Sequence, residues 1–121
     1  MLTKQVKMIG LNGISMKPDA WIVVKITKSN EIIHKIVAGW SGSYLYGNSW
    51  KINSGIKSVT YSDGIYSFLG FSGSIYECHE NSYGLRVCNA IGYNILKVEC
   101  QNNGVELEVL DEETDWANYK F

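Results

Sequence analysis

The sequence predicts an α+β, predominantly β domain: a strongly twisted antiparallel sheet or partly open barrel, with at most one helix in the C-terminal half, at about 89–103. Three observations carry this prediction. Short apolar runs alternate with polar residues at period two. Twelve glycines, many beside Asn, Asp or Ser, stand against a single proline, Pro18. Val, Ile, Tyr and Trp, which suit a pleated surface, are abundant. At 121 residues the chain has the length of one domain, taken as 1–121.

Thr3–Ile9 reads as a first strand with Lys4 and Lys7 toward solvent, and Leu11-Asn12-Gly13-Ile14 as a turn. Ala20–Lys28 alternates cleanly. Ile22, Val24 and Ile26 share one face; Trp21, Val23, Lys25 and Thr27 share the other. Ser29-Asn30 then joins it to Glu31–Ala38, the signature of a two-residue hairpin. Gly39–Asn48 is looser, and Trp50-Lys51-Ile52 is at most a short strand. Ile56–Tyr61 and Ile65–Phe71 flank Ser62-Asp63-Gly64, a strong type I′ hairpin signal. Ser72-Gly73 leads into a strand at Ser74–His79. A local echo, Gly64-Ile65-Tyr66-Ser67 against Gly73-Ser74-Ile75-Tyr76, is too short for a repeat architecture.

Residues 85–110 admit two readings. As strands, Leu96, Val98 and Cys100 face inward, Asn102-Asn103-Gly104 turns the chain, and Val105, Leu107 and Val109 alternate with Glu106 and Glu108. As helix then strand, Asn89 is the N-cap, Ile91, Ile95 and Val98 form an apolar stripe, and Gly104 is the C′ glycine. Gly92 and the β-branched residues weaken that helix. The Asn-Asn-Gly exit tips the balance toward it. Asp111-Glu112-Glu113-Thr114-Asp115-Trp116 is an acidic, solvated stretch that Trp116 pins to the body.

The segment Gly73-Ser74-Ile75-Tyr76-Glu77-Cys78-His79-Glu80-Asn81-Ser82-Tyr83-Gly84, followed by a helix and Gly104–Leu110, resembles small proteins carried on mobile integron gene cassettes. The likeness covers about a third of the chain. It implies a bacterial, cytosolic, self-contained domain and transfers no site residues.

The net charge of −1 hides a split. Residues 1–60 hold eight lysines and two acids, and residues 61–121 three bases and ten acids, so the halves carry +6 and −7. The simplest expectation is that the halves pack together and neutralise each other. Self-association and a basic face for an anionic ligand are the alternatives. No apolar run approaches the roughly 20 residues that span a bilayer, and the N-terminus has no apolar signal region. Three widely spaced cysteines, Cys78, Cys88 and Cys100, read as free packed thiols, which fits a cytoplasmic protein.

Catalytic signatures are sparse. Cys78-His79-Glu80, with His34, offers a thiol and an imidazole, but neighbours on a strand point to opposite faces. His34, Cys78, His79, Cys88 and Cys100 lack the close ligand pairs of zinc sites, so no metal is expected. Asp63, Glu77, Glu80 and Asp111 are available as acids, with no separation readable from sequence. No phosphate-cradling glycine loop and no other cofactor motif occurs. One cluster stands out: Trp40, Tyr44, Tyr46 and Trp50 crowd a Gly/Ser-rich stretch followed by Lys51 and Lys57. Such rings suit binding surfaces and stacking, or they simply cover the core of a small barrel.

The preferred expectation is therefore a non-enzymatic binding or interaction module. Its ligand- or partner-binding residues are Trp40, Tyr44, Tyr46 and Trp50, and its partner is a second copy, another protein or a small molecule. One alternative is a small hydrolase or transferase using Cys78 or His79. The other is a nucleic-acid-binding module using the basic, aromatic N-terminal half, which a pI near 6.1 disfavours.

Overall fold

The computed structural model describes residues 15–43 and 47–121. The expected strand at Thr3–Ile9 and the turn at 11–14 lie outside the described residues. Eight strands and one helix follow one another: β1 (Ser15–Met16), β2 (Ala20–Lys28), β3 (Glu31–Ser43), β4 (Gly47–Ile52), β5 (Ile56–Ser62), β6 (Ile65–Gly70), β7 (Ile75–His79), α1 (Val87–Asn102) and β8 (Glu106–Val109). Short 3-10 turns lie at Glu80–Ser82 and Trp116–Asn118. The fold is α+β and predominantly β, with a single helix among the described residues. Among the described residues it is built as two four-stranded sheets, ordered β1-β7-β6-β5 and β4-β3-β2-β8, which do not close into a barrel. All pairings are antiparallel except β1 with β7.

The hairpins form where turn chemistry demands them. Ser62 pairs with Ile65 across Asp63-Gly64, both at positive φ (51° and 80°), as a type I′ turn requires. Lys28 pairs with Glu31 across Ser29-Asn30, where Ser29 alone is at positive φ (56°), the II′ pattern.

The two sheets pack face to face, and α1 covers the outer face of β4-β3-β2-β8. That sheet is thus buried on both sides, which explains the unbroken apolar run Trp21-Ile22-Val23-Val24. Toward the other sheet, Trp21, Val23, Ile36 and Ala38 meet Ile56, Phe68, Tyr76 and Cys78, with Trp116 closing the layer. Toward the helix, Ile22, Val24 and Val37 meet Leu96 and Cys100. All three cysteines are free and buried. Acidic β8 lies beside β2, with Glu108 in register with Lys25.

The helix spans Val87–Asn102, two residues earlier at its start than the sequence suggests. Its N-cap is Arg86, not Asn89. Asn89 sits at the third helical position, where its Oδ1 accepts the Arg86 backbone N–H at 2.7 Å, one half of a capping box. Fully buried, Asn89 also donates through Nδ2 to Gly84 O (3.2 Å) and Val37 O (3.4 Å). A residue satisfied on every side tolerates such burial. Gly104 follows the C-cap at φ 65°, the left-handed conformation glycine provides.

Two glycines let helix and sheet approach. A Cβ on Gly39 would lie 2.7 Å from the Cys88 and Asn89 backbone. A Cβ on Gly92 would lie 2.6 Å from the Trp50 ring. Gly92, which weakens the helix by propensity, is the notch that seats Trp50.

Candidate functional site

Register decides what becomes of the aromatic cluster. Trp50 pairs with Gly39, and Trp40 with Ser49. Paired residues share a face, so Trp50 lies with Gly39 on the helix side, against Gly92. Trp40 lies on the opposite side, with Ala38, packed at the edge of the inter-sheet core. Both rings are half-buried, and they do not stack on one another. Tyr44 and Tyr46 lie outside the described residues.

Trp40 and Trp50 nevertheless both border a depression of about 480 Å³ at the β4 edge, with Met16, Lys17, Ser49 and Lys51. The Trp40 Nε1–H donates to Lys17 O at 3.0 Å, which fixes the ring against the chain before β2. Asp19 Oδ2 accepts the Ser41 N–H at 2.7 Å and tightens the same corner.

The Cys–His candidates separate. Cys78 points into the inter-sheet core, where burial, with Glu77 adding to it, pushes its thiol well above the ordinary value. The thiolate is the nucleophile, so this sulfur is held in its unreactive form. His79 faces solvent, and its Nδ1 accepts the Asn81 N–H at 3.1 Å, capping the 3-10 turn. His34 is buried elsewhere: its Nε2 is 3.0 Å from Tyr119 Oη, and Tyr119 and Phe121 stand edge-on to its ring. Burial, then the Lys25 charge, lowers its pKa. The acids also have local partners. Glu80 accepts the Tyr61 hydroxyl at 3.0 Å, Glu77 accepts Ser15 Oγ–H, and Asp63 forms its turn. Among the described residues, no three His, Cys, Asp or Glu side chains converge on a metal position. No helix among them is long and apolar enough to cross a membrane.

The surface that sequence reasoning did not assign to binding is the outer side of α1. Helix stripes usually face the core. Here Cys88, Gly92, Leu96 and Cys100 face inward. Val87, Ile91, Ile95 and Val98 face solvent, between 51% and 75% exposed. Ile91, Asn94, Ile95 and Val98 line a shallow groove there, and exposed Leu85 lies just before the helix. Scattered exposed apolar residues are ordinary, whereas four at helical spacing form a contiguous patch of the kind that marks interaction sites. The Ile91-Ile95-Val98 spacing was readable from the sequence; the addition of Val87 and the outward direction were not.

Comparison with known proteins returned no matching family model, no matching curated protein and no matching solved structure.

Proposed function

We propose that the protein is a non-enzymatic interaction module that pairs with a second copy of itself through the outer face of α1. The exposed Val87-Ile91-Ile95-Val98 stripe carries the reading. Three features support a second copy as the occupant. Only two of the sixteen helix residues, Lys97 and Glu99, are charged, so another apolar helix meets little desolvation cost. The stripe is self-complementary. An antiparallel copy centred between Gly92 and Tyr93 sets Val87 opposite Val98 and Ile91 opposite Asn94–Ile95, as a two-fold interface requires. The same arrangement brings Arg86 to the level of the partner's helix C-terminal end.

That placement removes a local conflict. Arg86 stands at the positive end of its own helix dipole, and no basic residue occupies the last turn. In an antiparallel pair, Arg86 lies at the level of the partner's negative helix end. The buried Cys78 thiol weighs against the hydrolase reading, and a pI near 6.1 weighs against the nucleic-acid reading.

A single helix pair lies toward the low end of stable interfaces, roughly 1,200 Å² in total, so the dimer is expected to be reversible. Sedimentation equilibrium from ten to several hundred micromolar tests this. Concentration-dependent dimer in wild type, lost in Ile91→Asp/Ile95→Asp with unchanged circular dichroism, supports the proposal. A wild-type monomer at every concentration, or an unaffected dimer in the variant, overturns it.

A further inference from the structure

A separate cleft opens where α1 parts from the β2–β3 hairpin. The hairpin reaches past the helix C-terminal end, so the helix-facing side chains near its tip are incompletely covered. The space measures about 520 Å³, within the roughly 300–1,000 Å³ of small-molecule sites. Its walls are Ile26 and Ile33 from the sheet, Leu96 and Cys100 from the helix, and Val105 after it. Four charged residues border it: Lys28, Glu31, Lys35 and Glu99. This lining lies on the inner side of α1, away from the Val87–Val98 stripe.

We propose that this cleft binds a small amphipathic molecule with an aliphatic body and one anionic head, the head seated at Lys35. The aliphatic walls select the body, since apolar surface gains by leaving water. The sign of the head follows from differences in burial. Lys28, Glu31 and Glu99 are exposed and solvated, whereas Lys35 is half-buried between the sheet and the helix. Lys35 is therefore the charge of the cleft with the least access to water, and an anionic group seated there gains a charge-assisted partner.

The test uses the full chain, labelled with nitrogen-15 and titrated with decanoate, decanol and decylamine below their micellar concentrations. Decanoate is expected to shift the amides of Leu96, Cys100, Asn103 and Val105, and to bind about tenfold or more tightly than the other two. Lys35→Met keeps the aliphatic stem and is expected to abolish that preference while the spectrum stays folded. Equal binding of the three amphiphiles to wild type overturns the anionic assignment, as does a preference that survives Lys35→Met. Shifts confined to Ile91 and Ile95, or no shifts, overturn the site. The readout does not depend on the oligomeric state.

Discussion

The two sides of the β4-β3-β2-β8 sheet are built from different materials. The side toward the second sheet is aromatic. Trp21 lies 5.4 Å from Phe68, 4.7 Å from Tyr83 and 5.8 Å from Trp116, ring centre to ring centre, and Tyr119 and Phe121 extend the cluster over His34. The buried centre of the helix side is aliphatic, with two cysteines and a glycine where a deep core would carry larger groups, and its rings, Trp50 and Tyr93, stand only half-buried at its border. Large interlocking rings bury most area per residue and add edge-to-face attraction. The aromatic side thus supplies most of the stability. The helix side, held by a notch and a few aliphatic contacts, is the one that leaves a stripe and a cleft open to occupants.

Truncations give the largest contrast. Trp21→Ala is expected to cost about 3–5 kcal/mol and Leu96→Ala about 2 kcal/mol, by urea unfolding. Equal costs would break the comparison. Next comes the notch. Gly92→Ala is expected to destabilise wild type by about 1–3 kcal/mol through its clash with Trp50. In a Trp50→Ala background the same change is expected to stabilise by up to about 1 kcal/mol, because alanine favours a helix. Additivity of the two would mean that the ring moves freely. A smaller effect is acid sensitivity. His34 has its folded-state pKa below the unfolded value near 6.5. Between these values the unfolded chain binds more protons, so stability falls as pH drops below about 6.5 and levels off beneath the folded pKa. His34→Gln is expected to flatten this part of the profile in unfolding midpoints from pH 7 to 5. Smallest, Ser29→Gly is expected to stabilise by less than about 1 kcal/mol, since glycine accepts the positive φ without strain.

The aromatic side was largely legible in the sequence and the helix side was not. Alternation over Ala20–Lys28 and the two hairpin turns set register locally, and register assigns faces. Trp116 was expected against the body and is buried there. For 85–110, the helix was one of two readings. Period alone says which residues share a stripe, not whether the stripe turns inward. The inward face is made of Cys88, Gly92 and Leu96, and small residues there give a weak hydrophobic signal. Trp40 and Trp50 could not be placed because their relation depends on the β3–β4 register, which shifts between Trp40 and Ser43. No local pattern announces such a shift.

The hydroxyl of Tyr83 ties distant parts of the chain. It accepts the Val23 N–H at 3.1 Å and donates to Leu110 O at 2.5 Å, where β8 leaves β2. Burial raises its pKa to about 12, so it keeps this donor through the neutral range. Those contacts span 60 and 27 residues, whereas the β2–β3 and β5–β6 hairpins close locally. Loop closure over such distances comes late in folding. The clasp is therefore expected to order the time course as well as the structure: the hairpins before β8, with the amides of Glu106–Val109 exchanging sooner than those of β2 and β3 in a hydrogen-exchange measurement.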